Sequence, residues 1–127
     1  KSHQMRNLPT ANNVRQEIQD KKQREVFDKL VELVNANLTD QQFSVDHLCL
    51  ELGMNRTKLY SFIKSTTGMS LGNYIRKIRL DKAAELLRTT DMSISEVGYA
   101  VGIESPSYFT RTFKEQFGSS PSEFIKH

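Results

Sequence analysis

The fold is decided by residues 93–118, which read SISEVGYAVGIESPSYFTRTFKEQFG. Ser93 and Glu96 have the spacing of a capping box, in which each side chain bonds the backbone N–H of the other residue at a helix start. The helix that follows carries apolar residues at helical spacing and ends near Gly102, a residue type favoured just past a helix end. These residues therefore predict a short helix with a defined start and end.

A second helix of the same kind follows directly. Ser105 is a favourable N-cap, and Pro106 stands at the first helical position, where a missing N–H is tolerated. This helix carries Phe109 and Phe113 on one face and ends at Gly118. Two helices across a tight turn that contains glycine form a helix-turn-helix.

Residues 44–68, which read SVDHLCLELGMNRTKLYSFIKSTTG, repeat this pattern about 50 residues earlier, with Ser44 and Asn55 as the predicted N-caps of the two helices. The offset is 49 in the first helix and becomes 50 after one inserted residue, Glu104. Two copies in register indicate helix-turn-helix units more strongly than one does, and two repeats are few for a solenoid. The matched pairs are Val45 with Ile94, Leu48 with Val97, Leu52 with Val101, Gly53 with Gly102, Asn55 with Ser105, Leu59 with Phe109, Ile63 with Phe113, Lys64 with Lys114, Gly68 with Gly118, Ser70 with Ser120, Tyr74 with Phe124 and Ile75 with Ile125.

The chain is predicted to be all-α, with about seven helices and no stretch that alternates with the period of a strand. We expect residues 1–24 to be a linker or tail, either unstructured or partly helical, and residues 25–127 to be one domain. Within this domain the first helix-turn-helix covers about 44–68, a long linker helix about 70–88, and the second helix-turn-helix about 93–118.

The linker helix is predicted to set the spacing of the two units. Residues 71–88 would form a helix about 27 Å long, at a rise of about 1.5 Å per residue. One turn of DNA separates adjacent major grooves by about 34 Å. We expect a helix of this length to present both units to one face of a duplex, with DNA bending as compensation where straight DNA does not fit.

Positive charge is concentrated in the centre of the chain. The 127 residues carry a net charge of +3, with 37% hydrophobic and 26% charged residues, which is typical of a globular domain. Residues 56–82 hold seven basic residues against Asp81 alone, whereas residues 25–55 and 83–127 are net negative. A solvated helix face is one explanation, and a surface for the phosphates of DNA is the other.

Other chemistries find no support in the sequence. Cys49 is the single cysteine, so an intrachain disulfide is excluded, and it is predicted to be a small core residue. His3, His47 and His127 are scattered, which argues against a metal site. Phosphate loops, nucleophile elbows and membrane-length apolar runs are absent. We expect no enzyme activity, no cofactor and no membrane contact by this segment.

The second helix of a helix-turn-helix, here called the reader helix, places its N-terminal half in the major groove. Arg111 is predicted to read guanine through its guanidinium, and Lys114 to contact a phosphate. A surface ion pair of Arg111 with Glu104 or Glu115 is the alternative. With Phe109 and Phe113 facing inward, the outward residues of the second reader helix are Pro106, Ser107, Thr110, Arg111 and Lys114.

The first reader helix is predicted from the same geometry. Tyr60 could pack on a thymine methyl group, bond a phosphate, or be exposed without a role, and Arg56 could reach a base or the backbone. With Leu59, Phe62 and Ile63 facing inward, its outward residues are Arg56, Thr57, Tyr60, Ser61 and Lys64. On the linker helix, two alternatives are open, DNA contact or a solvated face, for Arg76, Lys77 and Lys82.

At these residues the chain resembles the DNA-binding domain of the AraC/XylS family of bacterial transcription regulators. The resemblance rests on the run from Gly98 to Lys114, on Phe117-Gly118 and on Ser120-Pro121-Ser122-Glu123-Phe124, and covers roughly residues 25–127. It extends to the linker helix through Arg79-Leu80, Ala83 and Leu86-Leu87. The first repeat departs from the pattern, with Ser61 where many members carry Arg and Ile63 where the family often has Phe.

The resemblance implies sequence-specific binding to double-stranded promoter DNA and transcription activation through RNA polymerase. The run from Arg24 to Val45 is similar to output domains of response regulators and hybrid two-component sensors. We expect such an output domain in the cytoplasm, cut from a longer protein at an interdomain linker, with phosphorylation and homodimerisation through an upstream domain. The alternatives are a free-standing small activator and a helical protein-docking module.

Overall fold

The computed structural model describes residues 11–40 and 42–125, and within these ranges the only regular elements are helices. The all-α prediction is confirmed. The described residues form eight helices where about seven were predicted, and the additional one is the first, over Ala11–Glu17. The first ten residues of the predicted tail lie outside the described residues, as do His3 and His127. The helices are α1 (Ala11–Glu17), α2 (Lys21–Ala36), α3 (Val45–Leu52), α4 (Arg56–Thr67), α5 (Leu71–Thr89), α6 (Ile94–Ala100), α7 (Pro106–Phe117) and α8 (Pro121–Ile125).

Contacts divide the described residues into two compact units, the first ending at Arg76 and the second beginning at Lys77. Helix α5 contributes its first turns to the first unit and its remaining turns to the second. Each unit holds one helix-turn-helix, formed by α3 and α4 in the first and by α6 and α7 in the second.

Helix α1 and the start of α2 lie within residues 1–24, which were predicted to be a linker or tail, either unstructured or partly helical. Helix α1 has no sustained apolar period, yet Val14 and the following Ile18 are buried. Arg15 forms an ion pair of 2.9 Å with Asp28 of α2. Helix α2 starts at Lys21, because the side chain of Asp20 accepts a hydrogen bond from the backbone of Gln23 and caps the helix.

The apolar face of α2 forms the centre of the first unit. Phe27, Leu30 and Val34 are almost fully buried, and the Phe27 ring lies 5.9 Å from that of Tyr74 in α5. Leu48 of α3 is fully buried as well. Burial of one such aliphatic or aromatic side chain stabilises the fold by about 1.5–3 kcal/mol, so these side chains hold α3 and its neighbours in place.

In the second unit, α5 anchors both helices of the helix-turn-helix through polar contacts. The Arg79 guanidinium donates a hydrogen bond of 2.8 Å to the carbonyl of Val101, at the end of α6. Asp81 accepts 2.6 Å and 2.8 Å bonds from Lys77 and from Gln116 of α7. Lys77 is only 4% exposed, so both interpretations, a solvated face and a DNA contact, are wrong for this residue.

Aromatic rings fill the rest of this unit. Phe113 is fully buried, and its ring centroid lies 5.8 Å from Phe109, 4.6 Å from Phe117 and 5.3 Å from Phe124 of α8. Tilted and edge-to-face pairs at these separations add about 0.5–1.5 kcal/mol beyond area burial. Helix α7 is therefore fixed along its length by ring contacts on its inner face.

Candidate nucleic-acid interface

Helix α4 is the reader helix of the first unit, and local signals set its two ends. The Asn55 side chain accepts a hydrogen bond of 2.8 Å from the backbone of Lys58, which confirms the predicted N-cap. Gly68 ends the helix with a left-handed φ of 76°, a conformation that favours glycine. Leu59 and Ile63 are fully buried, so the opposite side of α4 faces solvent.

All five residues predicted to face outward from α4 are exposed, and three of them already make polar contacts. Arg56 approaches Asp46 of α3 through Nε at 3.1 Å and Nη2 at 3.0 Å, and its Nη1 donates to the Tyr60 hydroxyl at 3.1 Å. The hydrogen bond with Tyr60 and then the charge of Asp46 raise the pKa of the Arg56 guanidinium. Lys64 donates to the carbonyl of Gly68.

Sequence reasoning missed one basic residue beside this face. Lys58 is exposed on α4 and, together with Lys22 of α2 and Ser61 of α4, lines a cleft of about 420 Å³. Its place on the helix, three residues before Ser61, is a signal that could have included it. Phe62, which was predicted to face inward, is only half-buried because it lines the same cleft.

Helix α7 is the reader helix of the second unit. Ser105 accepts a hydrogen bond of 3.3 Å from the backbone of Tyr108, and Pro106 occupies the first position, as predicted. Gly118 ends the helix with a φ of 81°. Thr112 and Gln116 share the buried side with the two phenylalanines, and the Thr112 hydroxyl bonds the carbonyl of Tyr108 at 2.9 Å.

The outward residues of α7 are exposed as predicted, namely Pro106, Ser107, Thr110, Arg111 and Lys114. Arg111 places its guanidinium carbon 5.3 Å from the ring centroid of Tyr108, within the range of a cation–π contact. The ion pairs given by the described residues do not involve Arg111. The hydrogen-bonding groups of Arg111 therefore remain available for a ligand.

The two faces offer donors suited to nucleic acid and little that suits other chemistry. Guanidinium, ammonium and hydroxyl groups can bond base edges or phosphates. In the described part of the chain, no cluster of His, Cys, Asp or Glu is arranged to hold a metal ion, and Cys49 is half-buried. None of the helices that the structure describes is both long and apolar enough to cross a membrane.

Comparison with known families and relatives agrees with this geometry. The model of a family described as "Helix-turn-helix domain" matches residues 48–127. Histidine kinase P4 of Formosa agariphila is 37% identical over 100 residues, which are 79% of this chain and 7% of that protein. The F1 operon positive regulatory protein of Yersinia pestis is 35% identical over 95 residues, 75% of this chain and 32% of that protein. The chain thus spans a third or less of either relative.

Solved structures show the same fold. The DNA-binding domain of AdpA, a global transcriptional factor, in complex with a target DNA has a TM-score of 0.68 and 28% identity, covering 84% of this chain and 92% of that one. The C-terminal domain of AraT, a response regulator from Geobacillus stearothermophilus, also has a TM-score of 0.68, with 27% identity, covering 80% and 84%.

Proposed function

Because the chain belongs to the AraC/XylS family of DNA-binding domains of transcription regulators, we propose that α4 and α7 each enter the major groove of a promoter site and read base edges. The family decides between DNA binding and protein docking in favour of DNA, and it is not a family of enzymes. The observation that carries the proposal is that both reader helices bury their apolar side and expose a polar one.

In the second unit, Arg111 is the proposed base reader. Its guanidinium is positioned over Tyr108 rather than bound in an ion pair, and its planar fork matches the O6 and N7 acceptors of guanine. Ser107 and Thr110 supply hydroxyl groups for base edges or phosphates, and Pro106 contacts the groove at the helix start. Lys114, one turn further along, contacts a phosphate and adds affinity without sequence preference.

In the first unit, Arg56 is the proposed base reader. Tyr60 lies next to it, is 43% exposed and can pack on a thymine methyl group. Thr57 and Ser61 supply hydroxyl groups at neighbouring positions of the same face. Lys64 contacts a phosphate once it leaves the carbonyl of Gly68.

The experiment begins with selection of bound duplexes from a double-stranded DNA library with a random core, using the full chain. Binding of the selected duplex, and of every single base-pair variant of it, is then measured by fluorescence anisotropy. We expect Arg111→Ala to lower affinity by about 1–3 kcal/mol and to remove the base preference at one position, because the bidentate contact is lost.

Two control variants separate base reading from charge. Lys114→Ala should weaken binding to all sequences alike. The slope of the logarithm of the DNA-binding constant against the logarithm of salt concentration should become shallower by about one. Arg88→Ala removes the same charge from an exposed position on α5, outside both reader helices, and should leave the base-preference profile unchanged. Arg111→Ala binding with the affinity and preferences of the unmodified chain would contradict the assignment.

We also propose that the chain is the output domain of a two-component regulator that activates transcription in the cytoplasm. The support is its similarity to a segment of a histidine kinase, to a response-regulator C-terminal domain and to a positive regulatory protein. In this proposal an upstream domain controls homodimerisation by phosphorylation, and the bound domain recruits RNA polymerase. A free-standing activator is the second candidate.

Transcription in vitro tests the activating role. A template carrying the selected site upstream of a weak promoter should give more transcript when the chain is added with RNA polymerase. Binding to this template with unchanged or reduced transcript would argue against activation by recruitment. A template with a scrambled site is the control, since it retains the non-specific binding of the chain to DNA.

A further inference from the structure

We propose that Asp46 is a positioning residue that sets the base preference of Arg56. The inference rests on the proposed role of Arg56 as the base reader of the first unit and adds a residue from the other helix of the helix-turn-helix. Asp46 lies in the first turn of α3, ten residues before Arg56, and is brought to it by the turn between α3 and α4.

The contacts of Arg56 determine which of its donors remain for DNA. A guanidinium has five N–H groups. Nε donates to Oδ1 of Asp46 and Nη1 donates to the Tyr60 hydroxyl, while Nη2 forms an ion pair with the same Asp46 oxygen at 3.0 Å. At least one N–H therefore remains on each of the two terminal nitrogens, and the O6 and N7 acceptors of guanine accept from two donors.

The exposure of this pair argues that it serves recognition rather than stability. The side chains of Arg56 and Asp46 are 54% and 76% exposed, and ion pairs in that environment contribute little to folding stability. What the pair does supply is orientation, because an unpaired arginine on a helix surface samples many rotamers that binding must then restrict.

The second unit provides an internal comparison for this pair. At the offsets of the repeat, Ser95 stands in place of Asp46 and Pro106 in place of Arg56. Both members of the pair are absent there together, while the buried framework of the two units is retained. The pair therefore belongs to the recognition surface of the first unit and not to the helix-turn-helix framework.

Asp46 also has an electrostatic effect that opposes DNA binding, whereas its orientation of Arg56 favours base reading. Its negative charge near the reader helix repels the phosphates of any duplex, over a range of about 8 Å at physiological salt. Removal of Asp46 should therefore leave non-specific binding unchanged or stronger, while the loss of Arg56 orientation weakens base discrimination. These opposite changes in non-specific affinity and in base discrimination distinguish a positioning role of Asp46 from a simple change of net charge.

The test compares Asp46→Ala with Glu51→Ala, which removes the same charge from another exposed position of α3. Affinities are measured by fluorescence anisotropy for the selected duplex, its single base-pair variants and a scrambled duplex at fixed salt. We expect Asp46→Ala to lower discrimination about fivefold or more at one base pair, with scrambled DNA bound as well as before or better. Glu51→Ala should change all affinities alike.

Arg56→Ala separates failure of this inference from failure of the proposed function. Where Arg56→Ala flattens the preference at one base pair and Asp46→Ala leaves it intact, the positioning role is overturned and the reader role stands. Where Arg56→Ala leaves every preference intact, the reader role fails and the positioning role with it. Circular dichroism of each variant checks that the helices are retained, as the exposure of both side chains leads us to expect.

Discussion

The two helix-turn-helix units share their buried framework and differ on their reading faces. Leu59 and Ile63 of the first unit are buried at the positions that Phe109 and Phe113 occupy in the second. The outward positions do not follow this correspondence. The first reader helix carries its arginine at the first position and the second at the sixth, where the first has Ser61.

This difference separates two kinds of constraint on one structural motif. Inward positions must fill a close-packed interior, so apolar residues of similar volume are retained there. Outward positions carry no packing requirement, and the donors on them are set by what they bind. Two arginines at different helical positions therefore predict that the two units place their guanine contacts at different positions within their DNA segments, although the helix-turn-helix geometry is shared.

The framework itself differs at one position of close approach. Gly98 of α6 corresponds to Cys49 of α3. A Cβ at Gly98 would lie 3.1 Å from the carbonyl oxygen of Ile103 and 3.2 Å from the ring of Phe109. Cys49 is half-buried, and the first reader helix has the smaller Leu59 where the second has Phe109.

Exchange of these two residues gives the largest effect expected on stability. Gly98→Cys should lower the free energy of unfolding by about 1–3 kcal/mol, because the added side chain must displace a backbone carbonyl or an aromatic ring. Cys49→Gly should cost less, about 0.5–1 kcal/mol, through lower helix propensity together with the loss of a half-buried side chain. Urea denaturation measures the free energy of unfolding of both variants. Equal costs would contradict the closer packing around Gly98.

A smaller effect is expected at the helix caps. Ser93 accepts a 3.1 Å bond from the backbone of Glu96, whereas Ser44 accepts a longer one of 3.4 Å from that of His47. Ser93→Ala should therefore lower the free energy of unfolding by about 1 kcal/mol, and Ser44→Ala by less. A Ser44→Ala cost equal to or above that of Ser93→Ala would contradict this ranking.

The cap of the second unit should also respond to pH. The backbone N–H of Ser93 donates to the Glu96 carboxylate and lowers its pKa. A carboxylate with a lowered pKa in the folded state contributes stability above its unfolded pKa, and this contribution is lost as the pH falls through the folded pKa. The first unit has His47 at this position, so the capping carboxylate belongs to the second unit. Denaturation of Glu96→Gln should show a smaller loss of stability on acidification than the unmodified chain.

Sequence alone predicted the features that depend on neighbouring residues. The caps at Ser44, Asn55, Ser93 and Ser105 were identified because a cap bonds a backbone group only two or three residues away. The helical class and the repeat followed from periodicity. The bonding partner of Lys77, four residues away at Asp81, was within reach of the same reasoning.

Features that depend on distant residues were not predicted. Helix α1 is too short to show a period, and Val14 is buried in the folded unit rather than by any local pattern. The contact of Arg56 with Asp46 requires the turn between two helices to bring them together. For the reader helices, the sequence predicted which residues face outward, while the bases that they read stay a prediction.

The contacts of the two arginines on the outward faces of the reader helices join surface side chains to one another rather than to the core. Arg56 bonds Asp46 and Tyr60, and Arg111 lies over Tyr108. A substitution at such a position leaves the buried framework untouched, so its cost to folding is small. Changes at a few exposed positions, in either unit independently, can therefore adapt the domain to new operator sequences. None of the variants along the way needs to lose the fold.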